Sequence, residues 1–439
     1  MAQAKVADTM SKIPQEWVLD QADLEDAKKQ RRLSGPFIEK FLDKGELEVI
    51  RDDSMSLVEK VKSSQYTALQ VARAYCKTAA IAHQIIMFDK AFEHARELDE
   101  YFSKHKITKG PLHGLPISLK DQFHVKGTDT TMGYVGWIKT YEGVNDPEKV
   151  HCVESQIVQE LLSLGAITYC KTSVPQSLLL GETVNNLIGR TLNPVNQLLS
   201  CGGSSGGEGA LQALRGSSLG VGTDIGGSVR IPAAFCGIYS IKPTHDRFSY
   251  RDVANTNPGQ NTYPSSVGFL STSIDGLKLI MTSVLSTQPW LRDPEVIGIP
   301  WRQEMADAVL ERASSDGAAN NRLPLKLGVY WTDGVVGLHP PISRGLRMVR
   351  DAVEKAGHKY SNGQLAFLKA DGAHDIHKQL NLSGEPLIPD LEDSFQLRDP
   401  INLLKYQDLT LQGRDYSAAY SDYWNATANG EDGPVIHHS

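Results

Sequence analysis

Residues 202–237 read GGSSGGEGALQALRGSSLGVGTDIGGSVRIPAAFCG, and 11 of these 36 positions are glycine, against 38 in the whole chain of 439. Glycine at that density marks backbone in unusual φ/ψ or in close approach to something else. A flexible linker would not need apolar residues among its glycines. Here Ile225, Ile231 and Phe235 sit close to them, and the segment carries a fixed TDIGGS-x-R-x-P pattern over 223–232. Two short patterns compete for the segment. Gly202-Gly203-Ser204-Ser205-Gly206 fits G-x-S-x-G, a nucleophile elbow, which also needs a downstream acid and histidine. Asp351 and His374 are available for this, but nothing distinguishes them. Gly220-Val221-Gly222 lacks the third glycine of a dinucleotide fingerprint, and no phosphate-binding lysine motif follows.

Outward from this segment, short strands alternate with helices. PLHGLPISLKD (111–121) has a Gly-Pro break and then a β-type run from Ile117 to Leu119. Residues 150–165 are amphipathic, and AITYCKT (166–172) reads as a buried strand. The alternation between about 110 and 245 predicts α/β architecture around a mixed sheet. Upstream, Thr67 has the chemistry of an N-cap for ALQVARAYCKTAAIAHQ, and 89–105 is a second helical pattern. Residues 1–62 are polar with apolar residues at helical spacing, Phe37, Ile38, Phe41 and Leu42 among them. They read as an N-terminal helical extension on a main domain of 63–439. Downstream, a helix over Asp275–Leu285, a strand over 325–330 and a helix over 342–357 are expected.

Composition narrows the function. With 45 Lys+Arg against 52 Asp+Glu the net charge is −7, which does not suit nucleic acid as the main ligand. The five cysteines form no C-x-x-C pair, so neither a disulfide framework nor a four-cysteine zinc site is expected. The 13 histidines include no H-x-x-x-H and no H-E-x-x-H, which gives a metallohydrolase no support. The N-terminus has no apolar signal core and no run of 18 apolar residues occurs. The expectation is a cytoplasmic protein with no membrane and no nucleic-acid partner.

GGSSGGEGAL followed by GVGTDIGGSVRIPAAFCG resembles the amidase signature family of serine hydrolases. The flanking PLHGLPISLKDQFHVKGTDTTMGY and KTSVPQSLLLGETVNNLIGRTLNP are similar to the same family, and the IPQEW start resembles its acetamidase-like fungal branch. The resemblance runs from about residue 10 to about 434. It implies an amidase-signature fold, a central twisted mixed β-sheet covered on both sides by α-helices. It implies a Ser-cisSer-Lys triad: Ser228 as nucleophile, Ser204 as the bridging serine on a cis Gly203–Ser204 bond, Lys120 as base. It places Leu178 in the acyl pocket, and Ser204, Ile225, Gly226 and Gly227 against the substrate, with the backbone N–H groups of 225–228 facing the oxyanion. The implied substrate is a small carboxamide, cleaved to carboxylate and ammonia through an acyl-serine. No metal or organic cofactor is implied, and a homodimer is allowed.

The residues make physical sense of these roles. Lysine is a poor base at its reference pKa of about 10.4, and burial among Leu115, Ile117 and Leu119 would move it toward neutrality. Read without the motif, Lys120 would be a surface lysine paired with Asp121. Asp224 and Arg230 flank the nucleophile and read as a bracing salt bridge. Leu178 serves equally as core packing. The chain departs from the family's pattern after Gly433–Ser439, where the family continues into a strand, pocket wall and closing helices. It is also short near His83–Met87 and His358–Phe367. A mis-spliced or decayed copy is the expectation from these gaps. Two rivals follow, a glutaminase subunit of an amidotransferase and a non-catalytic remnant. A membrane-bound fatty amide hydrolase is disfavoured.

Overall fold

The computed structural model describes residues 1–82, 85–86, 88–260, 263–313, 326–328, 338–355, 359–361, 374–388, 396–399 and 402–426. Residues 1–300 with 372–398 form one compact unit; 301–371 with 399–439 form another. Among the described residues the first unit has eight strands: β1 (Ile85–Ile86), β2 (Pro116–Lys120), β3 (Ile167–Thr172), β4 (Val184–Asn185), β5 (Gly189–Arg190), β6 (Leu219–Asp224), β7 (Tyr239–Ile241) and β8 (Ser266–Ser271). Six of them make one sheet in the order β1-β3-β2-β6-β8-β7, and β4 and β5 make a separate hairpin. β3, β2 and β6 run parallel; β1, β8 and β7 pair antiparallel with their neighbours. The sheet is therefore mixed, as expected. Every residue of β2, β3, β6 and β8 is buried, so these strands show no polar alternation.

Helices flank this sheet. Thr67 caps Ala68–Ile81 as its position predicts: its hydroxyl accepts from Gln70 N and the Gln70 side chain returns the bond. Val71, Ala72, Tyr75, Cys76 and Ala79 form the buried face of that helix. Helix Gly206–Ala213 packs against β2, β3, β6 and β8. The amphipathic stretch 150–165 is helical only over Gln156–Ser163. Ser155 is the N-cap of that helix but gives it no side-chain cap, since its hydroxyl accepts from His124 N at 2.9 Å and donates to Asp252 O.

The N-terminal residues form the helices Ala2–Ser11, Gln21–Lys29, Pro36–Glu39, Lys44–Arg51 and Ser54–Lys62. Asp20, Asp43 and Asp53 cap three of them through their side chains. Ile38 and Leu42 are buried, while Phe37 and Phe41 are half-buried and meet edge-on.

The second unit contains helices Gln303–Ala313, Pro340–Lys355 and Leu403–Ala426, with β9 (Lys326–Gly328) and β10 (Lys359–Ser361) paired in parallel. The strand expected at 325–330 is present over Lys326–Gly328, and its other positions lie outside the described residues. So do His83, Gln84, Met87, His358, residues 362–367 and the tail from 427, where the shortened stretches were read. Among the described residues no helix is long and apolar enough to cross a membrane.

Candidate active site

β2 and β6 are parallel neighbours, with Ser118 opposite Gly220 and Leu119 opposite Val221. Their C-terminal ends therefore open on one edge of the sheet, where open α/β sheets place their ligands. Lys120 is the last residue of β2, and Asp224 ends β6 just before the Ile225-Gly226-Gly227-Ser228 loop. The register alone brings the lysine and the second serine loop together.

The first serine loop, Cys201–Ser205, reaches the same edge because helix Gly206–Ala213 starts there and packs on β2 and β6. The Gly203–Ser204 peptide bond is cis. Gly203 is required at its position, since a Cβ there would stand 2.5 Å from Leu180 O and 2.9 Å from Glu182 N. Ser205 N donates to Ser228 O at 3.0 Å, and the Ser205 hydroxyl to Thr223 O at 3.3 Å, which ties the two loops.

Lys120 is 0% exposed, Ser204 1% and Ser228 8%. Lys120 Nζ lies 2.7 Å from Ser204 Oγ, 2.8 Å from Thr223 Oγ1 and 3.4 Å from Thr223 O. Burial pulls the lysine pKa down to about 7 against the opposing pull of the Asp224 and Glu208 carboxylates. The structure thus joins Lys120 to Ser204 directly and Ser204's neighbour to Ser228 through the backbone. Among the described residues no hydrogen bond links the Ser204 and Ser228 hydroxyls.

Asp224 and Arg230 do pair, as expected. Arg230 Nε lies 3.0 Å from Asp224 Oδ2 and Nη2 lies 2.9 Å from Oδ1. The carboxylate also accepts from Gly227 N at 2.7 Å and Val229 N at 3.1 Å. Burial pushes this carboxyl up, but Arg230 and the two N–H groups outweigh it and hold the pKa below the usual value. Among the described residues, no protein acceptor takes the N–H of Ile225, Gly226 or Ser228. Gly226 is exposed and Ile225 half-buried, so this backbone faces outward beside the serines.

Leu178 is 7% exposed and sits in an apolar cluster with Met132, Tyr134, Trp137, Val174, Ala254 and Leu380. It adopts a left-handed φ of 63°, next to Ser177 at 69°. Such conformations cost roughly 1–2 kcal/mol per residue in non-glycine positions and persist where packing enforces them.

Sequence reasoning missed four buried polar residues, three near Lys120 and one, Lys171, that pairs with Asp121 away from the serines. Glu208 is fully buried, accepts from Ser118 Oγ at 2.6 Å and Thr172 Oγ1 at 2.8 Å, and has its pKa raised to about 7 by burial, which outweighs those bonds. Lys171, Thr223 and Gln122 are the others, all buried. Charged residues inside otherwise apolar strands were the available signal for Lys171. Thr223 and Gln122 have no signal of their own.

The Amidase family model matches residues 69–370. The acetamidase of Emericella nidulans is 41% identical over 97% of this chain and 77% of its own length. The acetamidase of Aspergillus oryzae is 40% identical over the same shares, 97% and 77%. Among solved structures, a fatty acid amide hydrolase superposes with a TM-score of 0.84 at 29% identity, covering 96% of this chain and 74% of that one. Motifs, sheet topology and these likenesses agree, and the chain belongs to the amidase signature family, hydrolases of carbon–nitrogen bonds other than peptide bonds.

Proposed function

We propose that this chain hydrolyses small carboxamides of the acetamide kind through an acyl-serine on Ser228. The observation that carries the reading is Lys120, fully buried with Nζ 2.7 Å from Ser204 Oγ. A lysine with its pKa near 7 holds a usable lone pair at neutral pH. Ser204 passes its proton to Lys120 and takes one from Ser228, whose oxygen attacks the amide carbon. The oxyanion is met by the N–H groups of Ile225, Gly226 and Ser228. The Gly227 N–H is held by Asp224 and shapes the loop instead. Each such donor is worth about 10²–10³ in rate. The proton returns from Lys120 through Ser204 to the leaving nitrogen. Ammonia departs, and water then cleaves the acyl-serine to carboxylate. Leu178 with Met132 and Trp137 forms the apolar wall beside the acyl group. The names of two relatives at about 40% identity, both acetamidases, support a small substrate.

The test is labelling of the purified protein by a fluorophosphonate, beside Ser228→Ala, with ammonia release from acetamide measured in parallel. Labelling and ammonia release that are both lost in the variant are expected. A folded protein that never labels would sink the reading in favour of a non-catalytic remnant.

A further inference from the structure

Lys120 is bonded to more than Ser204. Thr223 Oγ1, 2.8 Å from Lys120 Nζ, lies 2.5 Å from Gln122 Oε1. Gln122 Nε2 donates to Ala254 O at 2.7 Å and to Tyr250 OH at 2.8 Å, and Tyr250 OH to Ser265 Oγ at 3.2 Å. Lys120 and Gln122 are 0% exposed and Thr223 2%, so water does not supply alternative partners.

The direction of each bond along this line is forced. Ala254 O is a carbonyl and only accepts, so the amide nitrogen of Gln122 must face it. The amide oxygen then faces Thr223, and the single hydroxyl proton of Thr223 must go to that oxygen. Thr223 Oγ1 has only lone pairs left to offer Lys120. A neutral lysine has two N–H groups and one lone pair. Its N–H groups fit Thr223 Oγ1 and Thr223 O, which leaves the lone pair toward Ser204 Oγ. Were the Thr223 proton not held by Gln122, it would be free to turn onto the lysine nitrogen. That would occupy the lone pair the Ser204 proton needs.

We infer that Gln122 is a positioning residue for amide hydrolysis: by holding the Thr223 proton it keeps the Lys120 lone pair open to Ser204. This rests on the reading of Lys120 as the base. Among the described residues Gln122 makes no hydrogen bond to the serines or their loops. It acts through Thr223, and Tyr250 and Ala254 hold its amide in the one useful orientation.

The test is the saturation kinetics of fluorophosphonate labelling. In that reaction the Ser228 oxygen bonds phosphorus, fluoride leaves, and the serine proton passes through Ser204 to Lys120. The parent chain, Gln122→Met, Thr223→Val, Thr223→Ser, the Gln122→Met/Thr223→Val double and Lys120→Ala are compared after circular dichroism confirms folding. Gln122→Met is expected to lower the limiting rate about tenfold or more, leaving the half-saturating probe concentration within about twofold. The double is expected to label no more slowly than Thr223→Val alone, because the misdirected proton is gone. Thr223→Ser restores the hydroxyl and should label within about threefold of the parent. If Gln122→Met does not fold, Gln122→Asn replaces it, since the shorter amide cannot reach both Ala254 O and Thr223. Labelling of the Gln122 variant at the parental rate would overturn the inference, as would losses that multiply in the double, the mark of a packing role. A parent that never labels, or Lys120→Ala labelling at the parental rate, would instead overturn the base reading, and the Gln122 role with it.

Discussion

Lys171 Nζ stands 2.8 Å from Asp121 Oδ1, and the two side chains are 0% and 2% exposed. Asp121 follows Lys120 in the chain, yet its carboxylate serves the lysine of the neighbouring strand. It also accepts from the N–H groups of Thr131 and Met132 at 3.1 and 3.2 Å and from the Thr131 hydroxyl. Lys171 Nζ donates to Asp129 O and Thr130 Oγ1, each at 2.8 Å. Lys120 ends β2 and Asp121 opens the turn that follows, so the two side chains part company. One enters the serine site, and the other braces the 129–132 loop.

Removing one member of that buried pair leaves the other uncompensated. Lys171→Met is expected to cost about 3–5 kcal/mol of stability, read as a fall in the urea midpoint. Adding Asp121→Leu should recover only part of the loss, because the N–H groups of Thr131 and Met132 then lose their acceptor. A midpoint unchanged in Lys171→Met would contradict the pair's structural role.

The pH dependence follows from Lys120. Its pKa is drawn down to about 7 by burial, and the facing Asp224 and Glu208 carboxylates act the other way. Only the neutral form accepts a proton, so kcat/KM should fall about tenfold per pH unit below that value. Glu208, whose own pKa burial raises to about 7, carries its charge only in the upper part of this range, and Glu208→Gln removes that charge and so disfavours the ammonium. The acid limb should therefore move to lower pH. A limb that moves upward, or stays in place, would show that Glu208 does not act on Lys120.

Asp224 joins the nucleophile loop to Arg230. Asp224→Asn weakens four bonds at once and leaves one acceptor oxygen where there were two. We expect labelling at Ser228 to slow about tenfold to a hundredfold, in line with the sensitivity of catalysis to small displacements. Arg230→Gln should do less, since that side chain is 47% exposed while the Asp224 side chain is 0% exposed. Equal losses in the two variants would mean the ion pair, rather than the N–H bonds, holds the loop.

Gly220 lies on β6 beside the Glu208 carboxylate. A Cβ there would stand 1.8 Å from Glu208 Oε2 and 2.7 Å from Ser118 Oγ. Gly220→Ala must push apart a fully buried carboxyl and its partners, which costs about 1–3 kcal/mol or more. Thermal unfolding that is unchanged in Gly220→Ala would show that the carboxylate moves freely.

The residues that carry chemistry by type were readable in advance. Ser204, Ser228 and Lys120 stand in segments dense enough in glycine and fixed spacing to be singled out, and all three meet at one sheet edge. Asp224 with Arg230 was readable too, because the partners are six residues apart on one turn-and-helix. Strand positions followed from apolar runs bounded by turn residues. Amphipathicity over 150–165 did not mark the helix ends, which lie at Gln156 and Ser163.

The sequence by itself determined the α/β alternation, the glycine loops and the candidate serines and lysine, since these depend on local backbone preference and side-chain type. It named Lys120 as a buried base but gave Asp121 no partner other than Lys120. Only the tertiary structure decided that Asp121 belongs to Lys171 on the adjacent strand, that Gln122 holds Thr223, and that Glu208 is buried under Gly220. Those relationships join residues 50, 101 and 12 positions apart. They exist because sheet register and burial select each polar group's partner by position in space, and a buried polar group without a partner is too costly to persist.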